Sequence, residues 1–117
     1  MLLKKSLGKF GEKIASQYLE REGYLIVEKN YRCKSGEIDI IIKKDNLVAF
    51  VEVKTRTSMV YGEPVESINN IKTDKIRKVA DFYLAINGIE NCQIRFDVVL
   101  IQKVERKIII SHIKNAF

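Results

Sequence analysis

The chain has 117 residues, 46% of them hydrophobic and 31% charged, with 21 Lys plus Arg against 15 Asp plus Glu and a net charge of +6. That length suits a single domain spanning 1–117, and that much apolar material builds one core without staples. No repeat, low-complexity run or linker interrupts it, no stretch approaches the ~20 apolar residues of a membrane span, and the basic excess suits phosphate-rich partners.

Ser6 to Glu22 is predicted to form a helix. Leu7, Phe10, Ile14, Tyr18 and Leu19 recur at helical spacing and make one apolar stripe, which Gly23 ends. Gly8 and Gly11 weaken such a helix, so either its end approaches another element closely or it frays near the terminus. Tyr24 to Glu28 is a short β-prone run, with Asn30 nearby as a turn residue. Glu37 to Lys43 and Leu47 to Thr55 read as two strands rich in Ile, Val and Phe, joined at Asp45-Asn46. Thr55 to Ile71 lacks periodicity, holds Gly62 and Pro64, and reads as a long loop with room for a short turn of helix. A second helix is predicted from Thr73, its cap, to Ile86, with Ile76, Val79, Ala80 and Tyr83 as its stripe and Asn87-Gly88 as its stop. Gln93 to Ile101 and Lys107 to Ile113 read as a closing pair of strands. The order α-β-β-β-α-β-β implies an α/β layered domain with a central mixed sheet.

The hairpin register follows from its turn. With Asp45 and Asn46 as the loop, Lys44 faces Leu47, Asp39 falls opposite Glu52, and Glu37 falls opposite Lys54; an odd-length loop would shift this register. Strict alternation then puts Glu37, Asp39 and Ile41 on one face and Ile38, Ile40 and Ile42 on the other. In the second strand Glu52 and Lys54 share a face, with Ala49, Val51 and Val53 on the opposite one. Facing carboxylates repel, so Asp39 and Glu52 call for a compensating positive charge, either a bound cation or Lys54.

Hard divalent cations such as Mg²⁺ take oxygen ligands and often use only one or two carboxylates, with water and substrate phosphate completing the shell. A lysine beside such an ion can orient water or stabilise the charge developing on a phosphate. Asp39, Glu52 and Lys54 supply this set, and Glu12 of the first helix can add a carboxylate. Taken singly, each of these residues also fits the simpler reading of a half-exposed strand laced with salt bridges.

Gly36-Glu37-Ile38-Asp39 followed by Phe50-Val51-Glu52-Val53-Lys54-Thr55-Arg56 resembles the YraN-like family of largely uncharacterised bacterial proteins. The resemblance continues through Gly11-Glu12, Asn30-Tyr31-Arg32, Lys72 and Arg95-Phe96-Asp97-Val98-Val99, and so covers nearly the whole chain. That family in turn resembles the archaeal Holliday-junction resolvases of the restriction-endonuclease-like superfamily, whose hallmark is an acid on one strand and Glu-x-Lys on the next. The resemblance implies a three-layer restriction-endonuclease-like fold. It also implies a Mg²⁺- or Mn²⁺-dependent endonuclease acting on DNA, branched or structured DNA included. Asp39 and Glu52 would be metal ligands, Glu12, Asp39, Glu52 and Lys54 the catalytic set, and the protein a homodimer. The proline frequent before the first acid is absent, since Ile38 stands there. Fold and motif do not by themselves establish turnover, which leaves a non-catalytic nucleic-acid-binding module and a protein-interaction domain with a vestigial site as alternatives.

Arg32, Lys34, Arg56, Lys72, Lys75, Arg77 and Lys78 are candidates for a phosphate-binding rim. Arg32, Arg56, Lys72 and Lys75 are preferred as nucleic-acid contacts over Arg77 and Lys78, which read as solvated surface. Asp97, inside an apolar strand, reads as a buried structural partner for Arg95 or another basic group. His112, the only histidine, does not read as a general base. Tyr31 and Tyr61 can stack on bases or pack. Cys33 and Cys92 form no metal or redox spacing and read as reduced thiols. No signal segment is recognisable, so a cytoplasmic location is expected, with no small-molecule cofactor.

Overall fold

Helix α1, Leu2–Arg21, lies across one face of a five-stranded sheet, and helix α2, Asn70–Ile86, lies across the other. The computed structural model describes residues 2–57 and 70–117, with side chains from 7 to 57 and from 72 to 117. The strands are β1, Leu25–Cys33, β2, Gly36–Lys44, β3, Leu47–Arg56, β4, Gln93–Val104, and β5, Lys107–Ile113. They stand side by side in sequence order; β3 and β4 are parallel and the other neighbours antiparallel. A parallel pair needs a crossover, and α2 lies in the connection that supplies it. The expected order and mixed sheet are both present. Most of the stretch expected as a long loop, residues 58–69, lies outside the described residues, as does Tyr61.

Helix α2 buries its predicted stripe, whereas of the stripe predicted for α1 only Leu19 is fully buried, and the buried Ala15 lies outside that stripe. Ala15 and Leu19 of α1 are fully buried against Ile40, Ile42, Ala49, Val51, Val99 and Ile101, with Ile14 and Tyr18 at the margin. Ile76, Val79, Ala80 and Tyr83 of α2 pack on Ile38, Ile41, Val48 and Phe50. Helix α1 ends in a Schellman motif: Gly23 N–H donates to the Glu20 carbonyl and Tyr24 N–H to the Leu19 carbonyl. Gly23 supplies the φ of +92° this requires, and Tyr24 then packs in the same cluster as Leu19.

The β1 boundary departs from expectation. The strand runs on through Glu28–Cys33 and pairs with β2 to Cys33↔Gly36, and Asn30, with φ +53°, sits within it and not at a turn. β1 is a sheet edge with several exposed residues, so it lacks the apolar alternation that marks a strand in sequence. At the Asp45-Asn46 turn, Asp45 takes φ +52°, and the β2–β3 register from Lys44↔Leu47 to Ile40↔Val51 is the one derived from the sequence.

Candidate active site

Strand β2 does not alternate throughout. Ile38 and Ile41 face α2, while Ile40 and Ile42 face α1, so the expected grouping of Ile38, Ile40 and Ile42 on one face is corrected. The break falls at Asp39. Its pairing with Glu52, the other expectation, is not made either, because the β2–β3 ladder ends at Ile40↔Val51. Beyond that point Val53 N–H donates to Asp39 Oδ2 at 2.8 Å, so a side-chain carboxylate takes a backbone donor of β3. The sheet forks here: β2 stays paired with β1 through Glu37↔Arg32, and β3 stays paired with β4 through Arg56↔Gln102. Glu37 consequently meets Arg32 Nε at 3.4 Å and not Lys54, as the hairpin arithmetic had it.

A cleft of about 420 Å³ opens at the fork, lined by Leu7, Gly8, Glu12, Asp39 and the run Glu52–Arg56. Helix α1 forms one wall because Gly11 lets it approach β3. A methyl group added there would collide with the Thr55 hydroxyl. Of the two explanations for the helix glycines, close approach is therefore the right one for Gly11, whereas a methyl at Gly8 would meet nothing within 4 Å. Glu12 follows Gly11 directly and is thereby carried to the cleft wall.

Glu52 and Lys54 share a face, as alternation predicts, and their side chains are only 13% and 15% exposed. Lys54 Nζ stands 3.6 Å from Glu52 Oε1, and Lys72 Nζ of α2 stands 2.7 Å from the same oxygen. Burial is the largest influence on each of the three groups whose values move here, and neighbouring groups add to it or oppose it. Burial pushes the Asp39 carboxyl up from 3.8 to about 7; the Val53 N–H opposes this, and the carboxylates of Glu52, Glu12 and Glu37 add to it. Burial and the adjacent Lys72 hold the Lys54 ammonium below its ordinary value, against the pull of Glu52. Burial also acts to lower Lys72, but its contacts with Glu52 and Lys54 and the charge of Asp39 together outweigh this and leave it raised.

The candidate residues therefore fall into two groups. Glu12, Asp39, Glu52, Lys54 and Arg56 line the cleft, and Lys72 reaches it through Glu52. Arg32 is an exposed partner of Glu37 on the edge strand, and Lys75 is an exposed residue of α2; neither lines the cleft. The Glu52–Lys72 contact was not anticipated, yet it had a signal: Lys72 stands one helical turn before Ile76 on the buried stripe, so it shares the face turned to the sheet.

The donors fit a hard divalent cation. They are carboxylate oxygens at a buried position where like charges accumulate, and no sulfur or imidazole is among the described lining residues. Among the described residues no three His, Cys, Asp or Glu side chains are gathered closely enough to cage a metal. The fit is thus to an ion held by one or two carboxylates and otherwise by water and substrate.

Asp97 has the structural place expected of it. Fully buried, it accepts from Arg95 Nε and Nη2, from the Asn115 backbone N–H at 3.1 Å, and bonds His112 Nε2 at 2.8 Å. Burial acts to raise its carboxyl, but these partners together hold it below its ordinary value. Arg95 also donates to the Tyr24 hydroxyl, and His112 Nδ1 meets the Tyr18 hydroxyl, so the network ties the end of α1 to β4 and β5. His112 belongs to this framework and not to the cleft. Cys33 and Cys92 are free thiols.

The fold is a three-layer α/β domain, two helices about a five-stranded mixed sheet, consistent with a nuclease-like fold. The chain belongs to the family described as uncharacterised protein family UPF0102, whose model matches residues 11–101. It is 51% identical over 117 residues to a UPF0102 protein of Alkaliphilus metalliredigens, covering 98% of this chain and 100% of the relative. It is also 48% identical over 113 residues to a relative from Clostridioides difficile, covering 97% of each chain. A relative from Caldanaerobacter subterraneus is 46% identical over 117 residues, covering 97% of this chain and 96% of its own. The YraN-like resemblance is thereby borne out. No helix of the described residues is long and apolar enough to cross a membrane.

Proposed function

We propose that the protein is a divalent-metal-dependent endonuclease acting on DNA, with branched or structured DNA as its substrate class. One observation carries the reading: Glu12, Asp39, Glu52 and Lys54, from a helix and two diverging strands, line a single open cleft. Asp39 and Glu52 would hold Mg²⁺ or Mn²⁺, and Glu12 would contact the ion or one of its waters. When bound, such an ion polarises a phosphate and makes a bound water a better nucleophile.

The remaining work falls to the chain itself. Lys54 has its ammonium lowered by burial and by Lys72, so a proton leaves it more readily than from a solvated lysine, which suits a group that orients or deprotonates water. Arg56 lines the same cleft and supplies a fixed positive charge for a phosphate oxygen. Asp39 Oδ2 is anchored by Val53 N–H, which fixes the carboxylate before any ligand arrives. The net charge of +6 supports attraction to a polyanion. By the resolvase resemblance, the protein would act as a homodimer.

The test is cleavage of labelled linear, flap and four-way DNA in Mg²⁺ or Mn²⁺ by the full chain and by Asp39→Ala and Glu52→Ala. The expected result is cleavage by the wild type and a loss of at least about 10²-fold in each variant. Equal cleavage by all three would identify a contaminant and end the catalytic claim. Salt-dependent binding with no metal-dependent cleavage would favour the non-catalytic DNA-binding module instead.

A further inference from the structure

Glu52 has two ammonium neighbours on one oxygen, an unusual concentration of positive charge for a group assigned to bind a cation. Lys72 Nζ is 2.7 Å from Oε1 and Lys54 Nζ is 3.6 Å from the same atom. A single carboxylate neutralises one of them, so the cluster of three carries a surplus of positive charge when both are protonated. A dication approaching Glu52 has both ammonium groups beside it and must displace the nearer one, Lys72, to reach Oε1.

The two lysines differ in how easily they give way. Lys54 stands on β3, in register with Leu100 of β4, and its side chain is 15% exposed. Lys72 stands in the first turn of α2, ahead of the buried stripe that begins at Ile76, and its side chain is 37% exposed. Its stem reaches across from the helix to the strand, and of the two lysines it is the more exposed.

We propose that Lys72 is a resident counter-cation of this site: it occupies Glu52 in place of a divalent metal and competes with the metal for that carboxylate. The inference rests on the metal-dependent reading above and adds a regulatory element to it. Lys72 lowers the cleft's affinity for cations while offsetting the repulsion among Glu52, Asp39 and Glu12 in the metal-free protein. The lysine is then a brake on metal loading, not a phosphate contact on the rim.

Mn²⁺ binding, measured by calorimetry and by the loss of the free-Mn²⁺ paramagnetic signal, tests this in the full-length chain at one fixed pH. Wild type, Lys72→Gln, Lys72→Arg and Glu52→Gln are compared, with thermal melts showing that each is folded. Glutamine retains length and helix propensity, so α2 is expected to persist. The expected result is Mn²⁺ binding about tenfold tighter in Lys72→Gln, near wild type in Lys72→Arg, and much weaker in Glu52→Gln. Unchanged or weaker binding in Lys72→Gln, with Glu52→Gln still impaired, would overturn the competition while leaving the metal site standing. Mn²⁺ binding to none of the four would overturn both. Tighter binding in Lys72→Gln with no DNA cleavage by any variant would uphold the competition and remove the nuclease reading.

Discussion

Asp39→Asn isolates the electrostatic cost of the candidate site. Asparagine has nearly the same shape, and its side-chain oxygen can still accept from Val53 N–H, the bond that closes the fork. The charge is what changes. Asp39 has its carboxyl raised from 3.8 to about 7, so the folded protein favours the protonated form more than the unfolded chain does. The penalty for ionising it is absent below about 3.8, grows as pH rises through the window from 3.8 to about 7, and is complete above that. At about 1.4 kcal/mol per tenfold change in proton affinity, the full gap corresponds to about 4 kcal/mol, of which roughly three-fifths develops between about pH 5 and about pH 8.

Urea unfolding of wild type and Asp39→Asn, in EDTA at about pH 5 and about pH 8, reads that difference directly. Comparing one variant across two pH values cancels constant terms, including the weaker hydrogen bond of a neutral acceptor. The advantage of Asp39→Asn is expected to grow by about 2.5 kcal/mol from the acid to the alkaline condition. Mg²⁺ at millimolar concentration should erase much of that growth by stabilising the ionised wild type. If the stability gap between the two proteins stays the same at both pH values in EDTA, Asp39 is not held in the environment described, and the electrostatic argument fails.

Three other substitutions probe the surroundings. Gly11→Ala is expected to lower stability by about 1–3 kcal/mol in a thermal melt, because its methyl group meets the Thr55 hydroxyl, and Thr55→Ala in the same chain should restore most of the loss. No rescue would mean that the helix–strand approach is not the constraint at Gly11. Asp97→Asn leaves the half-buried Arg95 without its charge partner and should cost about 3–5 kcal/mol in urea. Because Asp97 is held below its ordinary value, its contribution is present above the unfolded value and is lost as pH falls through the folded one; the variant should therefore lose less stability than wild type on acidification. Arg56→Gln is expected to weaken DNA binding evenly across sequences and to reduce the salt dependence by about one released counterion, measured by fluorescence anisotropy.

The hairpin register was legible because its cause is local. A two-residue turn at Asp45-Asn46 sets Lys44 against Leu47, and each further pair follows until Ile40 meets Val51. The fork was not legible by the same arithmetic, because alternation assumes that the ladder continues. At Asp39 a side chain takes the Val53 donor, and from there onward neither face nor partner follows from counting. Glu37 shows the consequence: once β3 has parted from β2, the neighbour within reach is Arg32 on β1. Strand β1 itself was only half visible, since an exposed edge needs backbone pairing but no apolar face. Helix stripes were read more surely, and even Lys72 could have been found by extending the stripe of α2 back one turn from Ile76.

The fork also explains how this sequence can keep an acid inside a sheet of isoleucine and valine. Asp97, inside the continuous β4 ladder, is satisfied chiefly by the side chains of Arg95 and His112, whereas Asp39 takes a backbone donor of the neighbouring strand. By parting β2 from β3 at Asp39, the chain frees the Val53 N–H and gives that donor to the carboxylate. The same separation opens the cleft that admits water, and Gly11 closes α1 over one side of it with Glu12. Satisfaction of one buried acid and creation of an open site are thus a single structural event. Replacing Asp39 by an apolar residue would remove the acceptor that the parted strand requires, so the fork and the acid depend on each other. That dependence gives Asp39 a structural role whether or not a metal binds.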